Sequence, residues 1–214
     1  MTKPTRLILF GGAEVGQAAE ELKMIGEIMN GIKPRQVFHV PFARTSTSEP
    51  EWSGDWFHRN IKLSEGIEYL NAERQKDMDL VLDDPLVFLS GGSNNKNLLD
   101  MILQDDRLLR IISSASLIIG ESAGAKVLGE YFRLKGADND SPMVKGLGII
   151  ADVVIEPHYT ERNRQELLLK DMAETGVRYG LGIDTVTAID FINGQFPEKF
   201  TKIGSGKIVV KINN

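Results

Sequence analysis

The sequence predicts an α/β fold built on a mostly parallel sheet, and three observations lead to this prediction. Short apolar runs alternate along the chain with stretches whose apolar residues recur at helical spacing. Two of those runs, Arg6–Phe10 and Leu86–Leu89, lead into paired glycines, a pattern typical of strands buried on both faces. After Gly180 the pattern changes to β-hairpin material, with Asn193-Gly194 as a turn signal.

The individual elements follow in chain order. The first strand is followed by a helix over 18–29, which the stop signal Asn30-Gly31 ends. Further strands are predicted at 36–41, 67–70, 86–89, 117–119 and 153–158, and helices at 51–62, 76–83, 94–114, 125–132 and 161–175. Residues 133–148 are polar and irregular and are predicted to form a loop, and hairpin strands are expected at 185–192, 200–203 and 207–212.

Composition limits the functional class. A chain of 214 residues is expected to form one domain over 1–214. The net charge of −5 argues against nucleic acid or an anionic membrane as partner. The absence of cysteine excludes disulfides, thiolate nucleophiles and cysteine-based zinc sites. No apolar run approaches the roughly 20 residues of a transmembrane helix, and the N-terminus does not resemble a signal peptide, so a soluble cytoplasmic protein is expected.

Residues 120–124 form a G-x-S-x-G motif between a predicted strand and a predicted helix. In such an elbow the serine, here Ser122, occupies a sharp turn that exposes its hydroxyl, and small flanking residues avoid a collision between the two arms of the turn. The following helix directs its free N–H groups toward whatever the serine attacks. A turn that merely packs a helix against a sheet has the same pattern, so the motif alone does not distinguish a catalytic turn from a packing turn.

A serine nucleophile needs a base, and the sequence contains His39, His58 and His158. His158 ends a predicted strand after the elbow, which puts it at the same edge of the sheet as Ser122. His39 lies within an apolar strand and is interpreted as a core residue, and His58 as a helix-surface residue. His158 is therefore the predicted base, with a structural strand-end residue as the alternative.

The third member of a serine triad is a carboxylate that orients the histidine. The interval between serine and histidine offers several, namely Glu130, Asp138, Asp140, Asp152 and Glu156. Asp140, next to Ser141-Pro142, has the better-restrained backbone, and Asp138 stays the alternative. Acidic residues in a polar loop are also commonly solvated side chains with no catalytic role.

Two backbone N–H groups are expected to form an oxyanion hole. Ala123, directly after the nucleophile, supplies one, and Gly92 in the turn after the strand 86–89 supplies the other. No G-x-G-x-x-G or phosphate-binding loop is complete in the sequence, so no cofactor loop is predicted. A serine mechanism implies no organic cofactor and no metal. Only one loop and one strand separate the elbow from His158, whereas an ordinary α/β-hydrolase places its histidine several strand–helix units further along the chain.

Four segments resemble the peptidase E (aspartyl dipeptidase) and cyanophycinase family of serine peptidases. They are the turn 89–94, the elbow 120–125, the segment 140–148 and the strand end Glu156-Pro-His-Tyr159 with Arg162 and Arg164 after it. The resemblance implies a three-layer sandwich with a mostly parallel central sheet, similar to flavodoxin and the class I glutamine amidotransferases. It also implies Ser122 as nucleophile, His158 as base, Asp140 as acid, and Gly92 with Ala123 as oxyanion hole.

The implied activity is hydrolysis of small peptides through an acyl-enzyme, with N-terminal aspartyl dipeptides as one candidate class. Arg162 or Arg164 is a candidate for binding a substrate carboxylate, and Glu121, beside the nucleophile, would repel an acidic substrate. The alternatives are an esterase or amidase that uses the same residues, and a non-catalytic binding domain. A homodimer is compatible with the sequence.

Overall fold

A computed structural model describes residues 5–44, 52–134 and 141–213. The helices are α1 (Ala18–Ile32), α2 (Ser53–Ile61), α3 (Gln75–Met78), α4 (Asn95–Gln104), α5 (Asp106–Ser114), α6 (Ala123–Leu128) and α7 (Gln165–Thr175). The strands are β1 (Arg6–Phe10), β2 (Gln36–Val40), β3 (Glu68–Asn71), β4 (Leu86–Leu89), β5 (Leu117–Glu121), β6 (Tyr131–Arg133), β7 (Met143–Lys145), β8 (Val153–Pro157), β9 (Tyr179–Ile183), β10 (Thr187–Ile192), β11 (Thr201–Gly204) and β12 (Ile208–Ile212). Within these ranges, none of the helices combines the length and apolar character that a bilayer crossing requires.

The central sheet has seven strands in the order β11-β10-β1-β5-β4-β2-β3. Strands β1, β5, β4, β2 and β3 are parallel to one another, whereas β10 and β11 add an antiparallel edge. Nearly all the residues of β1, β2, β4 and β5 are buried, because helices cover both faces of the sheet. The predicted α/β fold with a mostly parallel central sheet is confirmed, and β10–β11 is one of the expected C-terminal hairpins.

A second sheet of five strands, in the order β12-β9-β8-β6-β7, was not predicted. The sequence predicts a helix that includes 131–132 and a loop that includes 143–145. In the structure, 131–132 belong to β6, and 143–145 form β7. The reason is Gly129, where the backbone becomes extended and ends α6 at Leu128. The next residue, Glu130, donates its N–H to Val153 O at 2.9 Å and so brings β6 alongside β8.

Three hydrophobic clusters form the layers of the sandwich. Helices α1 and α2 pack on one face of the central sheet through residues such as Ile25 and Phe57. Helix α6 lies between the two sheets, where Val127 and Leu128 share a cluster with apolar residues of β1, β4, β8 and β9. Helix α7 covers the other face of the second sheet through Leu168 and Met172.

The long helix predicted over 94–114 is two helices. Asp105 has an extended backbone, with φ −117° and ψ 101°, and its side chain accepts hydrogen bonds from Arg107 N and Leu108 N. It therefore caps a new helix instead of continuing the old one. Asn94 caps the start of α4 as expected, since its side chain accepts from Asn97 N at 3.0 Å.

Candidate active site

Ser122 occupies the sharp turn between β5 and α6. Its backbone has φ 50° and ψ −106°, a conformation that non-glycine residues rarely adopt. Its N–H donates to Phe10 O at 3.0 Å, which ties the turn to the end of β1. A Cβ on Gly124 would lie 1.9 Å from Leu89 O, so the turn requires glycine there. The local sequence thus forms the predicted elbow.

The hydroxyl of Ser122 lies close to His158. The distance from Ser122 Oγ to His158 Nε2 is 3.0 Å, within hydrogen-bonding range. His158 was expected at the edge of the same sheet as Ser122, but it follows β8 of the second sheet. The two sheets meet at this point, because His158 N donates to Gly11 O at the end of β1 at 2.9 Å.

His158 is buried, with 5% of its surface exposed. Burial lowers the pKa of its imidazole from 6.5 to about 4, helped by the positive charges of Arg162 and Arg164 and opposed by Glu14. The imidazole is therefore neutral above about pH 4, so Nε2 is free to accept a proton from the serine.

The predicted oxyanion donors lie beside Ser122. Ala123 is the first residue of α6, so the helix itself leaves its N–H without an acceptor. Gly92 and Ala123 line the same cleft as Ser122 and His158. Glu121, in contrast, is buried, and its carboxylate accepts a hydrogen bond from Gly91 N. It supports the glycine turn from behind and does not face the cleft.

The cleft has a volume of about 240 Å³ and contains charged side chains. Lys126 Nζ and Glu156 Oε1 form a buried ion pair at 2.6 Å. Arg162 is half-exposed, and its Nε donates to Glu14 Oε1 at 2.6 Å. Arg164 is 8% exposed, and its Nε has no hydrogen-bond partner among the described residues. These contacts leave Arg164 as the cleft cation that faces no carboxylate in the described part of the chain.

Asp138 and Asp140, the two favoured triad acids, lie outside the described residues. The carboxylate of Glu130 accepts a hydrogen bond from Asp152 N at 2.6 Å, and that of Asp152 accepts one from Arg178 N at 2.7 Å. Both carboxylates therefore stabilise turns of the second sheet. Glu156 is paired with Lys126.

Among the described residues, the carboxylate that lies against the imidazole is that of Glu14, which the sequence did not single out. Its Oε1 lies 2.9 Å from His158 Nδ1. This is ion-pair distance, although the two groups are not aligned as a hydrogen bond. Glu14 precedes His158 by 144 residues in the chain, and the sequence signal available was its position in a loop after a β strand that ends in paired glycines.

The other two histidines lie away from Ser122. His39 is fully buried in β2, where it stacks on Phe88 and its Nδ1 lies 2.5 Å from Tyr69 Oη. His58 is on the exposed face of α2 and stacks on Tyr69. No group of three or more His, Asp or Glu side chains in the described ranges is arranged to hold a metal ion.

The fold and the serine–histidine pair define an α/β protein with a nucleophile elbow at the carboxyl edge of a parallel sheet. The chain belongs to peptidase family S51, whose sequence model matches residues 7–199. This confirms the family to which the sequence was assigned.

The chain is similar in sequence to cyanophycinases. The protein from Geminocystis herdmanii is 27% identical over 161 residues, which cover 71% of this chain and 58% of that protein. The protein from Synechococcus elongatus is 29% identical over 167 residues, which cover 69% of this chain and 51% of that protein. The chain thus spans little more than half the length of these relatives.

Two solved structures share the fold. A peptidase from an acI-B1 Actinobacterium has a TM-score of 0.56 and 21% identity, with 96% of each chain covered. A candidate peptidase E protein from Listeria monocytogenes EGD-e has a TM-score of 0.57 and 17% identity, with 99% of this chain and 100% of that chain covered. At this level of identity the similarity establishes the fold and no finer property.

Proposed function

We propose that this protein is a serine peptidase that hydrolyses small peptides through an acyl-enzyme. The observation that carries the proposal is the 3.0 Å distance between Ser122 Oγ and the Nε2 of a buried imidazole, at the head of a helix. Membership of peptidase family S51 supports the same reaction class.

The reaction follows from the positions of the groups. His158 Nε2 takes the proton of Ser122 as Oγ attacks the peptide carbonyl, and the N–H groups of Ala123 and Gly92 stabilise the resulting oxyanion. His158 then gives that proton to the leaving amine, and the C–N bond breaks to leave an ester on Ser122. Water gives a proton to His158 Nε2 as it attacks the ester, the bond from the acyl carbon to Ser122 Oγ breaks, and His158 returns the proton to Oγ as the acid product leaves. The sequence predicts Asp140, or Asp138, as the acid that orients His158, whereas the carboxylate that lies against His158 Nδ1 in the described part of the chain is that of Glu14.

The charges in the cleft favour a substrate with a carboxylate near the scissile bond. Lys126 and Glu156 neutralise each other, and Glu14 lies against Arg162. Arg164 then contributes positive charge to a partly dehydrated cleft, where a guanidinium binds a carboxylate strongly. Dipeptides with an N-terminal aspartate carry such a group, and we propose them as the preferred class.

Purified protein assayed with Asp-Leu, Asn-Leu, Ala-Leu, a phenyl ester and cyanophycin tests this proposal. We expect Asp-Leu to be cleaved fastest and Ser122→Ala to lose at least about 10⁴-fold in kcat while unfolding at the same temperature as the wild type. The nearby Ser93→Ala, at the rim of the same cleft, is the matched control and should retain turnover.

Three results would reject the proposal in distinguishable ways. Ester cleavage without peptide cleavage would indicate an esterase. Faster cleavage of cyanophycin than of Asp-Leu would indicate the substrate for which its relatives are named. Undiminished peptide cleavage by Ser122→Ala would remove the serine mechanism altogether.

A further inference from the structure

The imidazole of His158 has a carboxylate neighbour on the side away from the serine. Glu14 Oε1 lies 2.9 Å from Nδ1, whereas Ser122 Oγ lies 3.0 Å from Nε2. The two ring nitrogens therefore lie near a hydroxyl and a carboxylate, the two groups that flank the imidazole of a serine triad, although the contact at Nδ1 is not aligned as a hydrogen bond. Glu14 comes from the loop after β1, outside the segment between serine and histidine in which the sequence predicts the acid.

The loop that carries Glu14 is fixed by its own hydrogen bonds and packs directly on the imidazole. Glu14 N donates to Gln17 Oε1, and Gln17 N donates to Glu14 O, both at 3.0 Å. Gly12, with φ 87°, lies so close to the ring that a Cβ there would be 2.5 Å from His158 Nε2. The carboxylate is thus attached to the same backbone that positions the histidine.

Arg162 restrains the carboxylate from the other side. Its Nε donates to the same Glu14 oxygen that faces Nδ1, and its backbone N donates to His158 O at 3.0 Å. The hydrogen bond from Arg162 is the main cause that lowers the pKa of Glu14, which favours the ionised form of this carboxylate. An ionised acceptor beside Nδ1 stabilises the imidazolium that forms when Nε2 takes a proton.

We propose that Glu14 is the positioning acid of the serine–histidine pair and that Arg162 holds its carboxylate against His158. The inference rests on the proposed serine mechanism. It departs from the Ser-Asp-His order expected from the sequence, because it replaces Asp140 by a residue that precedes the nucleophile.

The charged groups around the imidazole give opposite expectations for two variants. Glu14 approaches from the loop after β1, Arg162 and Arg164 from the turn after β8, and across the cleft Lys126 and Glu156 pair with each other. The negative charge of Glu14 raises the pKa of His158 and the positive charge of Arg162 lowers it. Because charge alone produces this opposition, a role of Glu14 in positioning the imidazole requires in addition that kcat falls in Glu14→Gln.

The test compares Glu14→Gln, Arg162→Gln and Asp140→Asn, with Glu20→Gln on the exposed face of α1 as the matched control. We expect Glu14→Gln to lower kcat by about 10²-fold or more, with little change in KM. The acid limb of its kcat/KM profile should shift to lower pH, whereas that of Arg162→Gln should shift to higher pH. Glu20→Gln should retain kcat within a few-fold, and Asp140→Asn, which removes the acid that the sequence predicts, should lower kcat less than Glu14→Gln does.

Titration of the His158 ring nitrogens by NMR makes the outcome independent of any substrate. A lower His158 pKa in Glu14→Gln than in the wild type supports the proposal even if the substrate class is wrong. An unchanged His158 titration in Glu14→Gln, or loss of activity in Asp140→Asn with full activity in Glu14→Gln, would overturn it. Activity that survives Ser122→Ala instead rejects the serine mechanism and not the position of Glu14.

Discussion

Ser122 and His158 both adopt backbone conformations that side-chain-bearing residues avoid, with φ 50° and φ 51°. Each costs about 1–3 kcal/mol and persists only where surrounding contacts fix it. Both are fixed by the end of β1, since Ser122 N donates to Phe10 O and His158 N donates to Gly11 O. The two reacting side chains are thus aligned by one short piece of backbone, which explains how residues from different sheets come within 3.0 Å.

Arg164 provides a prediction at the scale of a single side chain. Arg164→Gln should raise KM for Asp-Leu by about 10-fold or more, because a buried charge-assisted contact contributes about 1.5–3 kcal/mol. Comparison of Asp-Leu, Asn-Leu and Asp-Leu amide shows which carboxylate is bound. Equal losses for all three substrates would mean that Arg164 is structural and binds no carboxylate.

Part of the site could be read from the sequence because local spacing encodes it. The elbow at Ser122 and the strand end at His158 are short patterns whose geometry follows from the elements beside them. Glu14 could not be identified in this way. Its neighbour in space is 144 residues away, and its loop meets the histidine where the two sheets join, through the hydrogen bond from His158 N to Gly11 O.

At the scale of elements, the junction between α4 and α5 shows how capping overrides periodicity. The apolar residues Leu98, Leu99, Ile102 and Leu108 are buried on both sides of the junction, so their spacing gives no sign of a break. Asp105 ends one helix and starts the other because its carboxylate accepts two backbone N–H groups.

We expect Asp105→Ala to destabilise the protein by about 1 kcal/mol, the usual cost of removing an N-cap acceptor. The neighbouring Asp106→Ala, which is exposed and accepts no cap hydrogen bond, serves as its control and should change stability by no more than about 0.5 kcal/mol. Urea unfolding followed by circular dichroism measures both. Equal effects of the two substitutions would contradict the assigned cap.

The second sheet could not be predicted from local sequence patterns. The stretch 131–133 has only three residues, too few to show the alternation of a strand, and it pairs with β7 and β8 through contacts distant in sequence. The longer strands of the central sheet were recognised because five-residue buried runs are continuous in the sequence.

For the whole molecule, two buried carboxyl groups lie behind the site where the layers meet. Glu21 of α1 is 3% exposed, and Glu121 of β5 accepts from Gly91 N. Burial, followed by the charge of Glu121, raises the pKa of Glu21 well above its ordinary 4.5, and burial also raises the pKa of Glu121. The folded state therefore retains protons that the unfolded chain releases.

This difference in proton binding predicts that these two carboxyl groups contribute a loss of stability as the pH rises, opposite in sign to the contribution of the buried His39 and His158. Below about pH 4.5 the Glu21 carboxyl is protonated in both states, and from there up to its raised pKa the folded state binds more protons, so the free energy of unfolding decreases. Glu21→Gln should reduce this decrease between pH 5 and pH 8, whereas Glu20→Gln on the same helix should not. Urea unfolding at both pH values tests it, and identical pH slopes for wild type and Glu21→Gln would contradict it.

The central claim is that His158 activates Ser122, and covalent labelling tests it most directly. A fluorophosphonate probe reacts with an activated serine whether or not the natural substrate is known. We predict one probe per chain, located by peptide mass spectrometry on Ser122, with labelling lost in Ser122→Ala and slowed at least 10²-fold in His158→Gln. No labelling of the folded wild-type protein, or labelling of Ser122 at an undiminished rate in His158→Gln, would contradict the account.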